Sequence, residues 1–438
     1  MAFRILHTSD WHLGQHFYGK SRANEHQQFL TWLLAQVKQQ KIDVVIVAGD
    51  IFDTGTPPSY AREMYFDFIV QMHACHCQLI ILAGNHDSVA VLAEARHLLA
   101  QLSCIVVPIA SSIHCQQVFT LKNRQGQDSA VLCAIPYIRP RDVSITVAGQ
   151  TAKDKQHALQ ENITDHYKQL HLQAEQLAKN TENPLPIIAT GHLTTVGASV
   201  TESVRDIYIG TLEAFPASAF PAADYIALGH IHRCQKVAKS EHIRYCGSPI
   251  PLSFDEAKQQ KKVLVAEFST TKLTQVSELL VPCFQPMAMV KTQLQDIETD
   301  IKAVIKSKPA IPNGQKIWLD IEVNSSDYLH DITPRIMAMT ENLPVEILLV
   351  RRSKQFRASM PNVKANITLS ELSLEDVFNS RLAQEQWQTD EELLKKQRLS
   401  NLFAQAVEQV QLDKNTDDNT HVSDLPVNDF TDTFGEKS

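Results

Sequence analysis

The sequence predicts a layered α/β domain, followed by a smaller α+β domain and a helical segment. Two observations carry this prediction. Over roughly the first 270 residues, short apolar segments alternate with amphipathic stretches of helical period, which is the pattern of strands and helices packed in layers. From about residue 282 the alternation becomes a shorter β-α-β-α-β series, which indicates a second domain.

The strand segments of the first domain are rich in Ile, Val and Leu, which is typical of strands buried on both faces. They are FRILHT, VVIVAG, LIILAG, PIIATG and YIALGH, with further strand-like segments at HIRYCG and KVLVAEF. The helical patterns between them cover residues 25–40, 59–73, 89–102 and 152–180.

The second domain contains three strand segments, MAMVKT, KIWLDIEV and VEILLVRR, separated by helical patterns at 294–307 and 328–341. We therefore divide the chain into five parts, because a polar stretch and two more helical patterns follow. The parts are a layered domain at 1–275, an α+β domain at 276–352, a linker at 353–368, a helical segment at 369–411 and an acidic, disordered tail at 412–438.

Composition and charge are those of an ordinary globular protein, with 44% hydrophobic and 21% charged residues. The net charge is −8, and the tail at 412–438 contributes −5 of it, from seven acids and two lysines. No overall basic signature calls for nucleic acid. Eight cysteines without paired spacing favour reduced thiols, and no run approaches the ~20 apolar residues of a membrane helix. With no signal-peptide pattern at the start, we expect a cytoplasmic protein without a membrane segment.

Polar side chains of the types that bind metals follow each of the five strand segments. Ligands in layered α/β sheets collect beyond the carboxyl ends of strands, so five such endings indicate one convergent metal site. The candidates are Asp10, His12, Asp50, Asn85, His192, His230 and His232. Seven ligands are too many for one ion, and a carboxylate such as Asp50 can bridge two cations about 3.5–4 Å apart. Oxygen and imidazole ligands without thiolate suit manganese, iron or zinc.

Each motif has an ordinary explanation when it is taken alone. An Asp-x-His pair is often a capped loop, and Gly49-Asp50 is usually a turn. The ordered set D-x-H, GD-x-x-D, GNHD, GH and GH-x-H on five strand ends makes a purely structural origin very improbable. Within this set His86 is either a ligand or a residue beside the metals, held by Asp87.

The five motifs, in the forms DWH, GDIFD, GNHD, GH and GHIH, resemble those of the calcineurin-like metallophosphoesterase superfamily. Longer stretches resemble one branch of it, the SbcD nucleases that work with SbcC-type ATPases. These stretches are HTSDWHLGQ, VAGDIFDTGTPPSYAR, AGNHDSV, TGHLTTVGAS, VRDIYIGT, ALGHIHR and YCGSPIPLSFDE. The resemblance extends to about residue 411 and leaves out the acidic tail.

The resemblance implies a layered αββα sandwich with a capping, DNA-recognition domain and C-terminal partner-binding helices. It also implies two divalent metal ions, expected to be Mn²⁺. One would take Asp10, His12, Asp50 and His232, and the other Asp50, Asn85, His192 and His230. His86 would be the catalytic histidine, and we expect Asp87 to orient it.

The implied reaction is hydrolysis of DNA phosphodiester bonds in repair, replication and recombination. It would be an ATP-dependent exonuclease on double-stranded ends and an endonuclease on hairpins and single strands. The implied partner is an SbcC-like, SMC-type ATPase, in a heterotetramer that contains a homodimer of this chain. While bound to DNA, the protein would be associated with the nucleoid.

Candidate contacts with DNA and with the partner follow from local composition. Arg139, Arg141, Arg351 and Arg352 either contact DNA or belong to solvated charge runs. The helical segment has apolar residues that two isolated helices would leave in water, namely Leu372, Leu374, Val377, Phe378, Leu394, Leu402 and Phe403. These residues either bind the partner or pack back onto the α+β domain.

Two other functions compete with this interpretation. A small-molecule phosphodiesterase or protein phosphatase would share the fold, but phosphatases typically carry GD-x-x-D-R-G and GNHE. Here Thr54 follows Asp53, and Asp87 stands in place of the glutamate. A non-catalytic scaffold would not need the complete ligand set.

Overall fold

A computed structural model describes residues 2–143, 151–179, 184–204, 214–308, 315–324, 329–353, 378, 381–382, 387, 392 and 395–403. The chain divides into two units, of which the first contains residues 1–326 and 333–353 and the second contains 327–332 and 354–438. Most of the predicted linker and the whole acidic tail lie outside the described residues. Among the helices that the structure describes, none is long and apolar enough to cross a membrane.

The first unit begins with alternating strands and helices. In chain order they are β1 (Phe3–Thr8), β2 (His16–Phe17), β3 (Lys20–Ser21), α1 (Ala23–Gln39), β4 (Val44–Ala48), α2 (Ser59–Ala74), β5 (Gln78–Leu82), α3 (Val89–Ala93), α4 (Arg96–Gln101), β6 (Cys104–Val107), β7 (Val118–Lys122), β8 (Asp128–Cys133), α5 (Pro140–Val143), α6 (Ala152–Lys179), β9 (Ile187–His192) and β10 (Tyr225–Gly229). The series continues with β11 (Gln235–Lys236), β12 (Ile243–Tyr245), β13 (Lys262–Phe268), β14 (Leu273–Leu280), β15 (Met287–Thr292), α7 (Ile297–Ser307), β16 (Ile317–Val323), α8 (Leu329–Thr340) and β17 (Val345–Arg352).

Two six-stranded sheets form the layered domain, in the orders β14-β13-β1-β4-β5-β6 and β11-β12-β10-β9-β8-β7. In the first sheet β1, β4, β5 and β6 are parallel, and β13 and β14 are antiparallel. In the second sheet β12, β10, β9 and β8 are parallel, with antiparallel strands at both edges. The carboxyl ends of the central strands of each sheet therefore point the same way.

Strand β4 shows why these segments are apolar throughout. Val44 and Ile46 belong to the cluster between the two sheets, whereas Val45 and Val47 belong to the cluster beneath α1 and α2. Successive side chains of a strand point to opposite faces, so a strand covered on both faces must be apolar at every position. A third cluster lies beneath α6 on the outer face of the second sheet. The expected αββα arrangement is confirmed.

The elements after residue 286 form a small parallel sheet in the order β15-β16-β17, with α7 and α8 in the connections. This sheet joins the layered domain through a cluster that includes Phe17, Phe254 and Trp318. The Phe17 and Trp318 rings stack with their centroids 5.8 Å apart, and the Arg22 guanidinium lies over both rings. The residues that follow the Asp10-x-His12 motif are thus packed against the small sheet.

Only part of the predicted helical segment is described. Phe378 and Phe403 stack with their ring centroids 4.0 Å apart, and the Leu402 side chain is exposed. Leu372, Leu374, Val377 and Leu394 lie outside the described residues. The assignment of this segment to partner binding stays a prediction.

Candidate metal centre

The ligand candidates come from both sheets. Asp10 and His12 follow β1, Asp50 follows β4 and Asn85 follows β5 in the first sheet, while His192 ends β9 in the second. His230 and His232 follow β10 of the second sheet. Because the parallel strands of each sheet end on the same side, all seven side chains reach one place.

The backbone is strained where it presents these ligands. The φ angles of Asp10, His12, Asp50 and His230 are 54°, 48°, 51° and 90°, which lie in the left-handed region that residues with a Cβ seldom adopt. Such conformations cost about 1–3 kcal/mol each and persist only where the surroundings enforce them. Their concentration in four candidate ligands is a mark of a functional site.

Hydrogen bonds between neighbouring strand ends hold this strained backbone. The Asp10 amide donates to the Gly49 carbonyl at 3.0 Å, and the Trp11 and His12 amides both donate to the Asp50 carbonyl, at 2.8 and 3.1 Å. Across the two sheets, the His230 amide donates to Asp10 Oδ1 at 2.9 Å. The turns after β1, β4 and β10 therefore fix one another.

Glycines are required where these turns pass closest. A Cβ at Gly84 would overlap the carboxylate and the amide of Asp50, and a Cβ at Gly229 would overlap the Ala48 carbonyl. The motifs therefore have glycine at these two positions because the neighbouring turn passes too close to leave room for a side chain.

The candidate ligands form two groups that meet at Asp50, and a third group, formed by His12, Asp50 and His86, shares His12 with one of them and Asp50 with the other. Asp10, His12 and His232 have ligand atoms within 4.8 Å of one another, and so have Asp50, His192 and His230. The Asp50 carboxylate lies between the groups, with Oδ2 3.2 Å from His192 Nε2 and 3.6 Å from His12 Nε2. Asn85 Oδ1 lies 2.9 Å from His192 Nε2 and 3.1 Å from His230 Nδ1. All seven ligands expected from the sequence are brought together.

The protonation of the imidazoles fits a cation site. His12 Nδ1 faces Asp53 Oδ1 at 3.1 Å and His192 Nδ1 faces the Ala48 carbonyl at 2.9 Å, so each Nδ1 must donate its proton to an acceptor. In the neutral form of each ring, the Nε2 lone pair is then left to face Asp50. His12 Nε2 and His230 Nε2 are buried and have no hydrogen-bond partner among the described residues. A buried lone pair without a donor is satisfied by a cation, and imidazoles anchored in this way are typical metal ligands.

The electrostatic environment of Asp50 and His192 stabilises positive charge at the site. Burial alone lowers the pKa of His192, but the Asp50 carboxylate outweighs it and raises the pKa to about 9. Burial raises the pKa of Asp50, yet His192, His86 and His12 together hold it well below its ordinary value. An ionised Asp50 among imidazoles is a strong attractor for divalent cations.

The His86 ring and the Asp87 carboxylate are both held by backbone groups of the turns after β4 and β5. His86 Nδ1 donates to the Asp53 carbonyl at 2.7 Å, and its ring lies 4.7 Å from the His12 ring, centroid to centroid. The Asp87 carboxylate accepts from the amides of Ile51, Phe52 and Gly84 at 3.1, 3.0 and 2.8 Å. Asp87 therefore joins the turns after β4 and β5, and the ring of His86 is held through Asp53.

The four predicted DNA-contacting arginines lie in different surroundings. Arg139 is half-buried, lies over the Tyr137 ring and donates to the Asp87 carbonyl at 3.2 Å. The Arg141 side chain is 74% exposed. Arg351 pairs with the buried Asp320 at 2.6 Å, and Arg352 is half-buried. Of the four, Arg141 has the most exposed side chain for a phosphate, whereas Arg139 braces the GNHD turn.

Two carboxylates beside the ligands could not be assigned a role from the sequence. Asp53 belongs to the GD-x-x-D motif, and in the structure its carboxylate accepts from His12. Glu256 belongs to no motif, although its carboxylate lies 3.5 Å from His232 Nδ1. The signal that could have identified Glu256 is an acidic residue at the end of YCGSPIPLSFDE, a stretch of apolar and small residues.

Comparison with known proteins agrees with this geometry. A family model of calcineurin-like phosphoesterases matches residues 3–234, which is more than half of the chain. The chain belongs to this family. A second model, SbcD_C, described as the type 5 capsule protein repressor C-terminal domain, matches residues 283–386. The chain is thus a phosphoesterase, and its fold and ligand chemistry are those of a metal-dependent hydrolase.

Among curated proteins the phosphoesterase is similar to the SbcD subunit of the nuclease SbcCD from Escherichia coli (strain K12), with 53% identity over 400 residues, 91% of this chain and 96% of that protein. It is also similar to the SbcD subunit of the nuclease SbcCD from Bacillus subtilis (strain 168), with 29% identity, 74% of this chain and 80% of that protein. The expected resemblance to the SbcD branch is confirmed. A solved dimetal phosphatase from Danio rerio is 13% identical and covers 64% of this chain and 98% of its own, with a TM-score of 0.35.

Proposed function

We propose that this phosphoesterase is the nuclease component of an SbcCD-type complex and hydrolyses phosphodiester bonds in DNA. The observation that carries the proposal is the convergence of six candidate ligand side chains from two sheets around a seventh, the Asp50 carboxylate. Similarity to the SbcD subunit of the Escherichia coli nuclease supports the choice of substrate class.

The centre would hold two divalent cations, for which Mn²⁺ suits the oxygen and imidazole donors. Asp10, His12 and His232 would hold one, Asn85, His192 and His230 the other, and Asp50 would bridge them. Such cations, when bound, lower the pKa of water and polarise a phosphoryl oxygen.

His86 would supply a proton to the leaving oxygen. Its Nδ1–H is fixed on the Asp53 carbonyl, so Nε2 is the atom that can carry and release the second proton. The ring stands beside His12 at the rim of the group, and the main-chain amide of His86 donates to Asp50 Oδ1 at 2.9 Å. Asp87 holds the turn that carries His86 by accepting three backbone amides. His86 therefore acts as the general acid.

Binding of DNA must overcome the net charge of −8. Arg141, with Arg352 on the small domain, would contact phosphates, and Arg139 and Arg351 would act mainly by bracing the surfaces nearby. A second copy of the chain and an SMC-type ATPase of the SbcC kind would complete the phosphate-binding surface, with the ATPase docked on the segment at 369–411. The assembly would be a cytoplasmic heterotetramer, associated with the nucleoid on DNA and active in repair, replication and recombination.

The proposal is tested with the chain co-produced with its SbcC-type ATPase. End-labelled double-stranded and hairpin DNA are incubated with the complex, Mn²⁺ and ATP, and products are resolved on denaturing gels. We expect ATP-dependent shortening of duplex ends and opening of hairpins, which Asp50→Asn abolishes. Intact DNA with the wild-type complex, under conditions in which a small phosphodiester is hydrolysed, would assign the centre to a small-molecule substrate instead.

A further inference from the structure

A buried network of hydrogen bonds surrounds the Glu256 carboxylate, on the side of His232 that faces away from Asp10. Glu256 is fully buried, and each of its oxygens accepts from two donors and lies near a further hydroxyl. Oε1 accepts from the hydroxyls of Thr201 at 2.9 Å and Ser203, and it lies 3.2 Å from Ser253 Oγ, which donates to Asp255. Oε2 accepts from the Leu252 amide at 3.1 Å and from the Lys261 ammonium, and it lies 3.3 Å from Ser248 Oγ, which donates to the Ile250 carbonyl at 2.8 Å. A side chain with so many fixed partners has a single conformation.

The network fixes which nitrogen of His232 carries the proton. Ser203 Oγ lies 2.6 Å from His232 Nδ1 and also contacts Glu256 Oε1. A carboxylate can only accept, so the Ser203 hydrogen goes to Glu256 and the hydroxyl oxygen must accept from His232 Nδ1–H. The Nε2 lone pair of His232 is thereby left for the group formed with Asp10 and His12.

The Lys261 side chain binds the main-chain carbonyl of His232. The Lys261 ammonium is buried and donates to the His232 carbonyl at 3.1 Å and to Ser248 Oγ at 2.9 Å, besides pairing with Glu256. Removing two charges from water costs several kcal/mol per ion, which a buried pair seldom repays in stability. Both the ring and the backbone of His232 are nevertheless tied to this pair, which points to a role in placing that ligand.

We propose that Glu256 is a positioning residue, which sets the tautomer and the plane of His232 through Ser203. The inference rests on the metal centre of the proposed function. The arrangement is that of a carboxylate behind a metal-bound histidine, here extended by one hydroxyl. Because Thr201 and Ser203 bond to the same carboxylate, Glu256 also ties the segment after β9 to the ligand after β10.

The test measures metal binding rather than activity. Titration calorimetry with Mn²⁺ and the electron paramagnetic resonance spectrum of the bound pair are compared for the wild-type chain, Glu256→Gln and Ser203→Ala. We expect the affinity of one of the two sites to fall about 10–100-fold in both variants, since loss of such partners typically has this effect. The spin coupling between the two Mn²⁺ ions should weaken accordingly, while the other site keeps an affinity close to the wild-type value.

Ser203→Ala keeps the Glu256–Lys261 pair, so it reports on the relay even if Glu256→Gln fails to fold. Glu25→Gln is the matched control, because Glu25 is a buried carboxylate paired with Arg22 and belongs to neither metal group. Wild-type affinity at both sites in Ser203→Ala overturns the inference, and so does an equal loss at both sites that Glu25→Gln reproduces. A wild-type chain that binds no Mn²⁺ overturns the metal centre itself, which separates the two failures.

Discussion

His7 offers a prediction whose size follows from the structure. It lies in β1 between the two sheets, with Nε2 3.2 Å from the Leu228 carbonyl and Nδ1 3.0 Å from the Tyr225 hydroxyl. The carbonyl can only accept, so Nε2 carries the proton and Nδ1 accepts from Tyr225. Burial lowers the pKa of His7 from 6.5 to about 3, because the imidazolium would lose its hydration there.

The sign of the effect on stability follows from proton uptake. As the pH falls, the unfolded chain protonates His7 near pH 6.5, whereas the folded chain does so only near pH 3. The unfolded state binds more protons within this window, so the free energy of unfolding decreases as the pH falls through it. Between about pH 7.5 and about pH 5 the loss from His7 is about 2 kcal/mol, at ~1.4 kcal/mol per pKa unit.

The assay compares His7→Gln with the wild-type chain. Glutamine is neutral and retains a donor and an acceptor, so the variant should not show this loss. Urea unfolding is followed by tryptophan fluorescence at both pH values, with a chelator present so that cations do not contribute. We expect the stability of the variant, relative to wild type, to improve by about 2 kcal/mol on going to about pH 5. His97→Gln, on the exposed surface of α4, is the control. If the difference in the free energy of unfolding between His7→Gln and the wild-type chain is the same at both pH values, His7 is not held neutral by burial.

Three further predictions concern the metal centre and the C-terminal residues. Asp50→Asn should weaken binding of both Mn²⁺ ions together, because a neutral amide bridges two cations poorly, and two ions bound with wild-type affinity in calorimetry would disprove the bridge. His86→Ala should keep both ions but lower nuclease turnover about 10²–10⁴-fold, the usual contribution of a general acid; loss of one ion would make His86 a ligand. Deletion of 369–438 should leave a metal-binding protein that no longer co-purifies with the SbcC-type ATPase and is no longer stimulated by ATP. Deletion of 412–438 alone should change neither property. If the protein without 369–438 still co-purifies with the ATPase, docking on the helical segment is contradicted.

The layers of the fold could be predicted from the sequence because the strands are covered on both faces. Val44 to Val47 in β4 serve two different apolar clusters, and this requirement produces the continuous Ile, Val and Leu runs that identify strands. The ligands could be predicted because each follows such a run directly. Whether a residue directly follows a strand depends only on the neighbouring residues, so the sequence alone indicates it.

Other features of the site depend on contacts that no local pattern records. The left-handed backbone at Asp10 and His230 is enforced by a hydrogen bond between turns of different sheets. Neither an aspartate nor a histidine at these positions indicates a left-handed conformation in the sequence. The position of Glu256 behind His232 depends on the fold of the segment after β12. The three backbone amides that the Asp87 carboxylate accepts are likewise brought to it by the fold, and its adjacency to His86 in the sequence does not indicate them.

The convergence of ligands from distant strand ends links cation binding to the whole sandwich. The ligands are spread from residue 10 to residue 232, so no short stretch of the unfolded chain holds the complete site. Cations that bind only the native state stabilise it by mass action, by about 2.7 kcal/mol per site at a free concentration 100 times Kd. Divalent cations should accordingly raise the melting temperature of both sheets as one cooperative transition, and a chelator should lower it. The cellular supply of the ion thereby contributes to the lifetime of the folded protein as well as to its chemistry.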